Sequence, residues 1–299
     1  MNNLIVLAVA SLSVGALYFL VASGLGLIFG LLRVLSFAQG AILGSAAYVG
    51  WLMLRHFPLD QGSTTNVFVL ACLVGIVLGA VLAFATEVFL IRPLYARDHL
   101  DQILVTVGLG FVLTALINGI WGPDSRSLPV PRWAKETINI GDAAIPIDRI
   151  VLIVVAALLL VGLEYFLRST RSGLIVRAGV ENRDMVRALG IDVRVSFTLI
   201  FTIGGAAAGL AGVLAGMYSK AITPAIGDSY LLYAFIVLII GGLGSLRGAA
   251  IAAVLTAFFQ QFANFYIASG FGDLLIVGLM AVVLLVRPQG ILGKKGRTI

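Results

Sequence analysis

The sequence predicts an all-α protein: a polytopic membrane helix bundle of about eight to nine transmembrane spans, some broken or partial. Three observations carry this. Charged residues make up 11% of the 299 and hydrophobic ones 60%, with a mean hydropathy of +1.08. A soluble domain carries about 25% charged residues, and a chain of this size cannot hide so much apolar surface and still face water. The apolar runs reach the ~18 residues that cross a bilayer as a helix. They also lack the two-residue alternation of barrel strands.

The runs are, in order, about 5–31, 35–54, 66–91, 102–121, 149–167, 196–217, 229–246, 249–267 and 271–286. The first lacks a basic lead and reads as an uncleaved span rather than a removed signal. The second and seventh are short or interrupted by glycine. Residues 1–299 are read as a single transmembrane domain, with 168–194 as a cytoplasmic loop within it.

Loop charge orients the chain. A cytoplasmic tail (Arg287, Lys294, Lys295, Arg297) brings Arg33, Arg92, Arg97, Arg168, Arg171, Arg177, Arg183, Arg187, Arg194 and Arg247 to the same side. Only Arg55, Arg126, Arg132, Lys135, Arg149 and Lys220 fall on the other. That is the positive-inside bias, and it leaves the N-terminus outside.

Between the first two spans the polar residues Arg33, Ser36 and Gln39 interrupt the apolar pattern. Gly26/Gly30, Gly40/Gly44, Gly75/Gly79, Gly205/Gly209, Gly212/Gly216 and Gly244/Gly248 are spaced four apart, which lets helix backbones approach closely in lipid. Ser36 and Gln39 share a helical face. Such polar side chains belong against another helix or a wetted path, not against lipid.

The loop at 122–147 contains Thr137–Ile147, where Gly141-Asp142 between alternating apolar residues predicts a small hairpin. It serves either as a lid over helix ends or as a contact for a soluble protein. Gly241, Gly242, Gly244 and Gly248 crowd eight residues. They make either a tight turn at the inner surface or a broken helix lining a pathway.

The most charged stretch is Arg168 to Arg194. Asn182 can cap a short helix and Gly190 can close it. Met185, Val186 and Leu189 fall on one face, Arg183 and Arg187 on another. Charge alone supports only a cytoplasmic loop; the amphipathic pattern also suits a docking helix for a soluble partner.

Several chemistries are disfavoured. Cys72 is the sole cysteine, so no internal disulfide or cysteine metal cluster forms. His56 and His99 sit in opposite loops, so no metal site is expected. No phosphate-binding G-x-x-x-x-G-K-[ST] occurs, so any ATP is bound by another protein, and no cofactor or enzymatic activity is expected. The basic pI comes from loop arginines, which argues against nucleic acid and for a membrane-lipid environment. No ionisable residue occupies the middle third of a span, which weakens the alternative of a stand-alone secondary transporter or facilitator in its ion-coupled form.

Three blocks together resemble the permease subunits of branched-chain amino-acid ABC importers: GLGLIFGLLRVLSFAQGAILGSAAYV (24–49), TRSGLIVRAGVENRDMVRALGI (170–191) and GGLGSLRGAAIAA (241–253). Thr170, Gly173, Arg177, Ala178, Ala188, Gly190 and Ile191 stand where that family's ATPase-docking loop has them. Ser36, Gln39 and Ala41 replace the family's usual Asn, His and acid, which bears on substrate, since related members handle urea, short amides and aromatic acids. The resemblance implies a second related permease, two ABC ATPase subunits, a periplasmic substrate-binding protein, and a multi-pass place in a bacterial inner membrane. Coupling residues are then Thr170, Gly173, Arg177, Ala178, Arg183, Met185, Arg187, Leu189 and Gly190. Pathway residues are Ser36, Phe37, Gln39, Gly40, Gly241, Gly242 and Gly244.

Overall fold

A computed structural model describes residues 2–32, 34–57, 64–95, 97–140, 143–181 and 193–293. Helix α1 (Asn2–Leu32) is followed by α2 (Ala38–His56) and α3 (Thr64–Ala85). The last continues as a π-turn (Thr86–Ile91) and a 3-10 turn (Arg92–Leu94). Then come α4 (His99–Trp121), β1 (Arg126–Ser127), α5 (Arg132–Lys135), β2 (Thr137–Ile140) and β3 (Ala143–Pro146). The second half holds α6 (Ile147–Ser169), α7 (Arg171–Glu181), α8 (Val193–Ser219), β4 (Ala221–Ile222), α9 (Ile226–Gly241), α10 (Leu246–Tyr266) and α11 (Phe271–Val286).

Six helical stretches among the described residues are long and apolar enough to cross a membrane; α9 and α11 are shorter apolar helices of 16 residues each. With α2 they match the nine apolar runs of the sequence. The boundary between the seventh and eighth runs falls earlier than hydropathy places it. Gly242 and Gly244 have φ of 98° and 85°, a backbone that side-chain-bearing residues avoid, so α9 stops at Gly241.

Burial sorts the helices. α2 is enclosed on nearly all sides, from Ala38 to Leu54, and packs on α3, α4, α8 and α9. By contrast α4, α6 and α11 expose Leu104, Phe111, Ile120, Leu158, Val161, Leu274 and Leu285, an apolar surface suited to lipid. A tight seam joins α3 to α8. A Cβ on Gly79 would run into Gly205 O, and one on Gly209 into Gly75 O. With no hydrophobic drive between helices in lipid, such backbone proximity supplies the association.

Segments gather at the two ends as the span alternation requires. At one end β1 pairs antiparallel with β4, Arg126 opposite Ile222, and Trp51 Nε1 donates to Ser127 O at 3.1 Å. The expected hairpin is there too: β2 pairs with β3, Ile138 opposite Ile145, and β3 lies against α1. Its Gly141-Asp142 tip is outside the described residues. At the other end Glu164 Oε1 accepts from Arg247 Nε at 2.5 Å and Arg168 Nη2 at 2.9 Å. There, too, Ile291 N donates to Ile240 O (2.8 Å) and Leu292 N to Gly241 O (3.1 Å), which satisfies carbonyls that a helix end leaves open.

Candidate functional site

The interruption between the first two runs is a non-helical segment, Val34–Ser36, leading into α2. Gln39 Nε2 donates to Gly204 O at 2.7 Å. Gly204 lies three turns into α8, roughly 16 Å from its start at 1.5 Å per residue. Gly24, two turns before the end of α1, packs against the same Gly204 carbonyl. The chain therefore leaves α1 at one end and climbs back inside the bundle, so that α2 begins near mid-depth of a ~30 Å hydrocarbon layer.

Irregular backbone at that depth must be buried in protein or line a cavity. Thr106 of α4 meets part of the requirement: its Oγ1 accepts from Phe37 N at 3.3 Å and lies 3.3 Å from Leu35 O. Ser36 and Gln39 are 1% and 0% exposed, yet Ser36 Oγ and Gln39 Oε1 have no hydrogen-bond partner among the described residues. The Phe37 ring sits 5.0 Å from that of Phe235 on α9. Gly40 packs on α9, where a Cβ would meet Gly227 O at 2.8 Å.

Gly241, Gly242 and Gly244 form the α9–α10 turn and pack against backbone: Gly241 on Gly248, Gly242 on Gly293 and Gly290, Gly244 on Gly30. Ser245 caps α10, its side chain accepting from Gly248 N at 3.0 Å. These glycines lie at the end of the bundle that holds Arg247, away from Ser36 and Gln39.

At that same end, α6 turns sharply into α7. Thr170 Oγ1 donates to Phe166 O at 2.6 Å and accepts from Gly173 N at 3.0 Å. One hydroxyl thus closes one helix and caps the next. A Cβ on Gly173 would run into Phe166 O, so the corner needs glycine there. Ala178 is exposed on α7, and Leu174 is 60% exposed. Arg183, Met185, Arg187, Leu189 and Gly190 lie outside the described residues, as do Arg33 and the side chain of Arg177.

Two clusters escaped the sequence reading. Glu87, wholly buried in the π-turn, takes bonds from Thr198 Oγ1 (2.7 Å), Arg92 Nη2 (3.2 Å) and Tyr95 OH (3.0 Å). π-turns often mark functional positions. On α1, Tyr18 OH donates to Gln260 Oε1 (2.6 Å), and Gln260 Nε2 donates to Asp273 Oδ1 (2.6 Å). Tyr233 OH donates to the same carboxylate oxygen at 3.0 Å, and its ring stacks on Tyr18 at 4.7 Å. The available signal was the shortness of α11: a helix of 16 residues rises only about 24 Å, which brings Asp273 in its first turn into the layer.

Compared with known proteins, residues 7–284 match the family model described as the branched-chain amino acid transport system / permease component. The chain belongs to this family. The branched-chain permease LivH of Salmonella typhimurium is 28% identical, over 94% of this chain and 93% of that one. BraD of Pseudomonas aeruginosa, also a branched-chain amino acid permease protein, is 28% identical over 96% and 94%. The permease LivM of Salmonella typhimurium is 29% identical over 92% of this chain and 68% of its own length. No solved structure matches. Membership in the branched-chain permease family makes the chain a multi-pass transport subunit and favours that reading over a stand-alone transporter.

Proposed function

We propose that the chain imports branched-chain amino acids across a bacterial inner membrane as one of two related permeases, energised by two separate ABC ATPases. The observation that carries this is the family match across residues 7–284, together with relatives named for that cargo. Salmonella typhimurium has both a LivH and a LivM that this chain resembles, which supports a pair of unlike permeases.

In this reading the C-terminus is cytoplasmic and the N-terminus periplasmic. A periplasmic binding protein delivers substrate at the end bearing the β2–β3 hairpin. The ATPases, which bind the ATP, dock on 168–194 through Thr170, Gly173, Arg177, Ala178, Arg183, Met185, Arg187, Leu189 and Gly190. Their closure displaces this loop and the start of α8, the helix into which it leads. α8 holds Gln39 through Gly204, so the displacement reaches the break before α2. There Ser36, Phe37, Gln39 and Gly40 border the path, and separation of Phe37 from Phe235 opens it. Gly241, Gly242 and Gly244 are assigned to its inner end. The permease performs no covalent chemistry.

The test is reconstitution in proteoliposomes with the second permease, the ATPases and the binding protein. ATP-dependent accumulation of labelled leucine is expected. Leucine movement that needs no ATPase overturns the proposal in favour of a facilitator.

A further inference from the structure

We infer that the N-terminus of α2 is a subsite for the zwitterionic headgroup of an α-amino acid, with Ser36 and Gln39 as its side-chain ligands. The inference rests on the import reading above and adds the atoms that recognise the cargo inside the membrane.

A helix N-terminus carries about half a positive charge, and its first amides have no partner within the helix. No side chain caps α2. Phe37 N is engaged by Thr106 Oγ1 and Gln39 N weakly by Ser36 O, at 3.3 and 3.4 Å. The amides of Ala38 and Gly40 have no partner among the described residues. The first turn and its lead-in also carry two enclosed polar atoms with no partner among the described residues, Ser36 Oγ and Gln39 Oε1. Such groups are nearly always bonded in proteins, and a pair of them at one helix end can bond a polar ligand.

Their chemistry is complementary in one particular way. The amides and the Ser36 hydroxyl donate. Gln39 Oε1 accepts, and its identity as oxygen is fixed because Nε2 is held by Gly204 O. A carboxylate accepts from the first set; an ammonium group donates to the second. A neutral amide such as urea meets the same bonds but gains nothing from the charge of the helix end, so the site prefers the zwitterion. In this structure the Phe37–Phe235 contact lies beside the site and Gly40 is pressed on Gly227, which describes its closed form.

The test is Ser36→Ala in the reconstituted complex. Ser36 Oγ has no partner among the described residues, so the melting temperature of the complex stays at or above that of wild type. Leucine uptake at saturating loaded binding protein falls about 10-fold, the scale of one hydrogen bond to a charged group. Uptake within twofold of wild type overturns the site, and so does a variant that loses stability, which would show the hydroxyl bonded within the protein. The same assay is run with urea. Equal loss for urea and leucine overturns the zwitterion assignment. A wild-type complex that imports no leucine defeats the import reading itself and the site with it.

Discussion

Thr198 Oγ1 lies 2.7 Å from Glu87 Oε2, joining residues 111 apart in the chain. Thr198 is in the second turn of α8, just beyond the basic loop, and Glu87 is in the π-turn that ends α3. The carboxylate is fully enclosed, whereas Arg92, its ion-pair partner, is 37% exposed. Thr198→Val removes a donor from a buried charge and costs about 1–3 kcal/mol. The expected result is a lower melting temperature and ATP hydrolysis that is no longer matched by uptake, measured on the same proteoliposomes. Coupled transport at wild-type stoichiometry would reduce the contact to packing.

The α3–α8 seam predicts a contrast among glycines. Gly209→Ala pushes a methyl into the Gly75 carbonyl and costs about 3 kcal/mol or more through overpacking. Gly162→Ala, with open space around it, is neutral or gains up to about 1 kcal/mol from helix propensity. Thermal denaturation in detergent compares the two; equal effects contradict the seam.

Charge reversal at Arg183 and Arg187 leaves membrane insertion intact and abolishes ATPase association. Co-purification of the ATPases with the double variant provides the check, and undiminished recovery rules out docking there.

Deleting Thr137 to Ile147 impairs delivery from the binding protein more than insertion or ATPase docking. Uptake titrated against loaded binding protein reads this as a raised half-saturation concentration. An unchanged titration makes the hairpin a lid only.

A cysteine at position 36 or 39 in a Cys72→Ala background resists small polar thiol reagents in the closed form, because both positions are buried. Reaction rates rise during ATP turnover. Inertness in every nucleotide state excludes these positions from the path.

The helical class and the run count were legible because apolar length depends only on composition along the chain. The hairpin was legible because its pairing is local. The depth of Ser36 and Gln39 was not. It depends on Gly204, 165 residues away from Gln39, and on Thr106, whose role as partner to irregular backbone leaves no mark in hydropathy. The Tyr18–Gln260–Asp273 chain was hidden for the same reason, since Tyr18 and Gln260 are 242 residues apart. Thr170 and Gly173 were singled out by resemblance; what the structure adds is their shared cap at the α6–α7 corner, which spacing alone does not reveal.

The backbone contacts of Gly75 and Gly79 with Gly205 and Gly209 have a mechanical consequence. Helices whose peptide planes touch have no side-chain layer to shear, so α3 and α8 cannot slide past each other without clashes. Thr198 and Glu87 bolt the same pair at one end. In the proposed coupling, a force delivered at the start of α8 therefore turns a lever two helices thick rather than a single helix.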